Sequence, residues 1–187
     1  DTLDFSLQLL RQPSVTPVDH SCQNMMAERL EKIGFHIESM RFADVDNLWA
    51  RRGQQEPVFC FAGHTDVVPT GAAEQWTANP FDGETRDGIL YGRGAVDMKG
   101  GIGAWVAALS RVLAEGEIDG SLSLLITGDE EGPALHGTKR VVETLMAEGE
   151  VIDACIVGEP SSSAQLGDMI KVGRRGSINS WFTVHGK

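Results

Sequence analysis

No apolar run in this chain approaches the ~20 residues that cross a bilayer as a helix; the longest, Pro57 to Gly63, has the size of a strand. A membrane-spanning role is therefore not expected. Cysteine is scarce: Cys22, Cys60 and Cys155 are odd in number, widely spaced and set among apolar residues. They read as reduced, buried thiols of a cytoplasmic protein, and a thiolate zinc knuckle has no support. Basic residues are outnumbered, with 16 Lys and Arg against 27 Asp and Glu, and the net charge of -11 opposes binding to nucleic acid or to an anionic membrane surface. The opening residues from Asp1 carry no leader-like pattern, and no internal repeat or low-complexity tract is visible. What is present is 187 residues with 41% hydrophobic content, enough for one globular domain with a real core, or most of one plus the start of another.

Leu3, Leu7 and Leu10 recur at helical spacing and stop before Pro13, and Cys22, Met25, Met26, Leu30 and Ile33 repeat the pattern up to Gly34. Strand-like runs follow at His36 to Phe42, Asn47 to Arg52 and Val58 to Ala62. A long helix fits Met98 to Leu113, then a strand over Leu122 to Thr127, a helix carrying Val141, Val142, Leu145 and Met146, and a strand over Ala154 to Val157. Strands separated by helices of this length imply an α/β fold with three layers and a mostly parallel sheet. Ser177 to His185 alternates like a strand that begins something new. The expected division is residues 1–175 as the amino-terminal part of one domain and 176–187 as the start of a second.

In open α/β sheets, ligands bind beyond the carboxyl ends of the strands, so polar residues just after the apolar runs carry the most information. Gly63-His64-Thr65-Asp66 follows the third strand. In an extended chain His64 and Asp66 share a face, so the carboxylate is placed to orient the imidazole and free its other nitrogen for a metal. Asp97 opens the long helix within Gly92 to Gly101, where a plain N-cap role is the simpler alternative. Gly92 and Gly94 imitate the start of a dinucleotide-binding loop, but Asp97 stands at the third glycine and would face a pyrophosphate, which excludes that reading. Asp129-Glu130-Glu131-Gly132 crowds three carboxylates at a strand end, where they repel one another unless cations or protons compensate. Adjacent side chains diverge, so one Glu can ligate while the other handles protons. Gly158-Glu159-Pro160 follows the last strand. Oxygen and nitrogen ligands without thiolate suit zinc, cobalt or manganese in a hydrolytic site.

These segments, Gly63 to Pro69, Gly92 to Gly101, Thr127 to Gly132 and Gly158 to Pro160, occur in the order found in the two-metal aminoacyl hydrolases, the family that includes acetylornithine deacetylase, aminoacylases and several exopeptidases, and the chain resembles that family over most of its length. The flanks Arg11 to Pro17, Cys60 to Ala62 and Leu166 to Ser177 narrow the resemblance to the branch that removes succinate from N-succinyl-LL-2,6-diaminopimelate in lysine and diaminopimelate biosynthesis. The resemblance implies two zinc ions per complete subunit, with cobalt able to substitute. Asp97 would bridge them, His64 and Glu159 would complete one site, and Glu131 would bind the other ion. It further implies Glu130 as general base, Asp66 as the partner of His64, Arg174 as a contact for a substrate carboxylate, a small-molecule substrate, and a homodimer. A second His ligand is expected from a carboxyl-terminal segment that His20, His36, His136 and His185 do not match. The second site is therefore incomplete within residues 1–187, and little or no activity is expected of them alone. Within the enzyme class the alternative is an acetylornithine deacetylase or a related N-acyl-amino-acid hydrolase. Outside it, an inactive binding module should have lost one of the acids, yet Asp97, Glu130, Glu131 and Glu159 are all present.

Overall fold

A computed structural model of the chain describes residues 1–173, 176 and 180–186. Asp1 caps helix α1 (Thr2–Leu10) by accepting the N–H of Asp4 at 2.9 Å. The helix buries Phe5, Leu9 and Leu10, whereas Leu3 of the expected apolar stripe faces solvent. Helix α2 (Cys22–Lys32) buries Cys22, Met26 and Leu30, one residue per turn along a single face, and Gly34 follows it in the left-handed region. Strands β1 (His36–Phe42) and β2 (Val45–Arg52) form an antiparallel hairpin, and β3 (Val58–His64) is the expected buried strand. A small antiparallel hairpin that the apolar pattern does not announce, β4 (Glu84–Arg86) and β5 (Ile89–Tyr91), turns through Asp87 and Gly88, both at positive φ. Asp-Gly is the pair a two-residue hairpin turn of this hand prefers.

Helix α3 (Gly100–Glu115) begins two residues later than the apolar spacing suggests, because Ala95–Lys99 forms a separate wide turn closed by the Lys99 N–H on the Gly94 carbonyl at 2.9 Å. The remaining elements are β6 (Ser121–Thr127), α4 (Thr138–Ala147) and β7 (Ala154–Val157). The main sheet has the order β1-β2-β6-β3-β7. Strands β6, β3 and β7 pair in parallel, β2 runs against β6, and β1 runs against β2, so four of the five strands share one direction.

Three helices cover one face of this sheet. Phe5, Met26, Ile102 and Val106 from them pack with Leu48, Phe61, Leu124 and Ile126 from the strands. Helix α4 covers the other face, where Val141 and Leu145 meet Trp49, Cys60 and Leu125. Consecutive strand residues serve opposite cores, Leu124 and Ile126 one and Leu125 the other, as the two-residue period of a strand requires. This is the expected three-layer arrangement.

Two expectations need correction. Cys22 and Cys60 are buried, but Cys155 is exposed, because β7 lies at the sheet edge with all four of its residues open to solvent. Of the expected final strand, Ser177 to His185, the described residues Ser180 to His185 lie in no strand. No helix among the described residues is long and apolar enough to cross a membrane.

Candidate metal centre

Three parallel strands deliver their carboxyl ends to one rim. His64 is the last residue of β3 and stands in register with Thr127, the last of β6, while the Gly158 N–H reaches the Ala62 carbonyl at 3.0 Å and extends β7 alongside. The segments that follow β6 and β7 therefore start beside the imidazole, and the Asp97 turn closes the site from the third side. Among the described residues His64 Nε2 lies 3.0 Å from Asp97 Oδ1, 3.5 Å from Glu159 Oε1 and 4.0 Å from Glu130 Oε2. Ligand atoms of His64, Asp97 and Glu131 fall within 4.8 Å of one another, as do those of His64, Glu130 and Glu159. The two adjacent glutamates thus diverge into different triads. All five residues expected at the rim meet there, although Glu130 stands as close to the imidazole as a ligand would. None of the other histidines joins a triad among the described residues.

The electrostatics follow from the crowding. Burial alone would lower the His64 pKa, but Asp66 and Glu159 reverse this and push it up to about 9. Burial raises the pKa of Glu131, and the neighbouring Asp97 charge raises it further. Glu159 is raised in the same direction, by burial and by Asp97 and Glu130, against a lowering from His64. Four carboxylates around one imidazole carry more negative charge than the ring can offset, and a divalent cation is the species that balances such a set. The donors are nitrogen and carboxylate oxygen with no thiolate, the chemistry that suits zinc, cobalt or manganese. The residues present fit such an ion.

Asp66 partners His64 as expected and serves the site in a second way as well. The group closest to His64 Nδ1 is the Asp66 backbone carbonyl at 2.8 Å, while the carboxylate lies at 3.5 Å. That carboxylate, fully buried, also accepts the N–H groups of Glu130 at 3.2 Å and Glu131 at 3.0 Å. One residue therefore fixes the imidazole through its carbonyl and the glutamate pair through its side chain. Burial would raise its pKa, but His64 and the two amides hold it below the ordinary value.

Asp97 is not a helix cap: it lies three residues before α3 in a non-helical conformation (φ -122°, ψ 96°). The peptide bond that follows it is cis. Arg174 lies outside the described residues.

Several supports escaped the sequence reading. Asp129 is buried, and its Oδ2 accepts the N–H groups of Leu135 at 3.1 Å and His136 at 3.3 Å, which closes the loop that carries the glutamates. Met98 is buried beneath the site, with its sulfur 3.4 Å from the His64 backbone nitrogen. A side chain added at Gly63 would meet Met98 Cε at 2.5 Å, and one at Gly158 would meet it at 2.7 Å. The thioether thus fills the gap between the residues preceding His64 and Glu159. The glycine ahead of His64 and of Glu159 was the available signal.

The sequence profile of peptidase family M20/M25/M40 matches residues 60–183. A succinyl-diaminopimelate desuccinylase of Acinetobacter baylyi is 62% identical, over 100% of this chain and 50% of that protein. One from Alkalilimnicola ehrlichii is 58% identical over the same shares, so the chain spans about half the length of the curated relatives it matches. Among solved structures, an M20 family metallo-carboxypeptidase, Sso-CP2 from Sulfolobus solfataricus, superposes with a TM-score of 0.74 at 21% identity, covering 84% of this chain and 37% of that one. Human carnosine dipeptidase 1 gives 0.72 at 23% identity, covering 83% and 37%. At these identities the two structures show the fold.

Proposed function

Because the chain belongs to peptidase family M20/M25/M40, we propose that it forms the metal-binding part of an amide hydrolase that removes succinate from N-succinyl-LL-2,6-diaminopimelate. The observation that carries the reading is the convergence of Asp97, Glu130 and Glu159 within 4.0 Å of the buried His64 Nε2. The acyl group is taken from the desuccinylase that is 62% identical along this whole chain. His64, Asp97, Glu131 and Glu159 would hold two divalent cations, zinc with cobalt as a substitute, and Asp97 would be shared. A cation bound there supplies Lewis acidity for the amide carbonyl and for the attacking water.

The protein groups then have separable tasks. Glu130, with its side chain 44% exposed, faces the solvent from which water arrives; its carboxylate takes the proton of that water and returns it to the departing amine. Succinate and the free amine of diaminopimelate leave. Asp66 keeps the glutamate pair and the imidazole in one arrangement and is a positioning residue. Arg174 pairs with a substrate carboxylate. The full-length protein acts as a homodimer in the cytoplasm, where thiols remain reduced, and the net charge of -11 fits a small-molecule substrate and no nucleic-acid partner.

The reading is tested by turnover of N-succinyl-diaminopimelate and N-acetylornithine by the full-length protein, with metal content measured on the same sample. Preference for the succinyl substrate and loss of turnover on chelation are expected. A preference for N-acetylornithine would replace the proposed specificity.

A further inference from the structure

Lys99 is one of the largest fully buried side chains of the protein, with none of its surface open to solvent. Among the described residues no carboxylate lies within 4.0 Å of its Nζ. Its ammonium donates instead to two backbone carbonyls, Leu9 at 2.9 Å and Gln12 at 2.8 Å, at the end of α1 and just beyond it. Each carbonyl also accepts a backbone N–H, Leu9 that of Gln12 at 3.1 Å and Gln12 that of Ser14 at 2.8 Å, so the ammonium is a second donor to both and gathers the end of α1 and the residues just beyond it. A buried ammonium without a directly paired carboxylate is an expensive group to keep, and an apolar side chain of similar length would fill the same space. Its position suggests what it does.

Lys99 ends the turn from which Asp97 projects, and its own N–H closes that turn on Gly94. Gly94 takes a left-handed conformation (φ +85°), and a side chain there would come within 3.3 Å of Lys99 Cδ and 2.7 Å of Val67 Cγ1. The turn is therefore wrapped closely over the lysine stem. Two buried acids at the rim have backbone clamps: Asp66 accepts two N–H groups and Asp129 two. Asp97 accepts no backbone N–H among the described residues, and its carboxylate rests against the His64 ring. Its place is set by the turn, and the turn is held by Met98 below His64 and by Lys99 on α1.

We propose that Lys99 is a positioning residue for Asp97: its buried ammonium ties the Gly94 to Lys99 turn to the end of α1, and the metal affinity of the site depends on that tie. The inference rests on the metal reading above.

The test uses the full-length protein with Lys99→Met, Lys99→Gln and Lys99→Arg. Each variant is titrated with zinc alone, and urea midpoints are measured in zinc and in EDTA. The Met and Gln variants should bind zinc about 10- to 100-fold more weakly, and the gap between their zinc and EDTA midpoints should narrow, because a ligand stabilises the native state in proportion to its affinity. Lys99→Arg, which restores donors to the two carbonyls, should recover part of the affinity. An equal fall in both midpoints with unchanged zinc affinity overturns the proposal by assigning the lysine to folding alone. So does failure of both neutral variants to fold at any zinc concentration. Loss of zinc binding in the unsubstituted protein would be a separate result that overturns the metal reading and this inference together.

Discussion

The rim at His64 and the stretch after β7 treat their side chains in opposite ways. At the rim, His64, Asp66 and Asp129 are buried polar groups whose positions are fixed by named partners. After β7, large apolar groups stand in solvent: Leu166, Val172 and Trp181 are 100%, 101% and 96% exposed. Apolar surface in water is unfavourable and buried polar groups without partners are costly, so each region reverses the usual placement. Only the rim compensates, through backbone N–H groups and opposite charges. The sheet explains the difference. Strands β6 and β3 have neighbours on both sides, whereas β7 is an edge whose Ile156 and Val157 are more than half exposed. Order at the rim comes from three strand ends that hold one another.

The largest effect should come from the group at the rim that is free to move a proton. Glu130→Gln in the full-length protein should lower turnover by about a hundred- to ten-thousand-fold while zinc content is retained, read by single-turnover kinetics and metal analysis. Unchanged turnover would remove the base assignment.

Gly158→Ala should break the rim from below. The added Cβ would sit 2.4 Å from Phe61 Cζ and 2.7 Å from Met98 Cε, an overpacked contact that costs about 1–3 kcal/mol of stability in denaturant titration. Zinc affinity should fall with it as Glu159 is displaced.

A smaller effect should appear in the metal-free protein as pH rises. His64 has its pKa raised in the folded state to about 9. Its contribution is fully present below the ordinary value of 6.5 and is lost as pH rises through about 9. Urea midpoints in EDTA should fall over that interval, and His64→Gln should flatten the fall. A midpoint that rises there would contradict the sign.

The smallest effect belongs to the other region. Trp181→Ser in residues 1–187 should change stability by no more than about 0.5 kcal/mol, since the ring is 96% exposed. A larger loss would mean that the stretch after β7 packs on something, and the contrast with the rim would disappear.

Most strands and helices were legible from periodicity. The run Val58 to Ala62 became β3, and Leu122 to Thr127 lies within β6, because continuous apolar stretches of that length are buried on both faces of a sheet. The small hairpin β4 and β5 was not read, although Asp87-Gly88 marked it, because three-residue strands carry too little alternation. The residues that gather around His64 were legible as polar residues at strand ends or just before a helix. Met98 and Lys99 were not, because their value lies in contacts with Gly158 and Leu9 that are distant in the chain, and the role of Asp129 was not, because its hold on Leu135 and His136 depends on the folded shape of the loop.

By itself the sequence determined which residues could carry the chemistry: a histidine and four acids at the ends of apolar runs, without thiolate and within an acidic chain. Tertiary structure alone decided how they meet. The parallel register of β3 with β6 and β7 sets the distances to His64, and the backbone carbonyl of Asp66 stands closer to the ring nitrogen, at 2.8 Å, than the expected carboxylate, at 3.5 Å. Spacing along a strand fixes which face a side chain takes, but which of several nearby oxygens becomes the partner depends on competition from backbone amides, and those amides arrive from elsewhere in the fold.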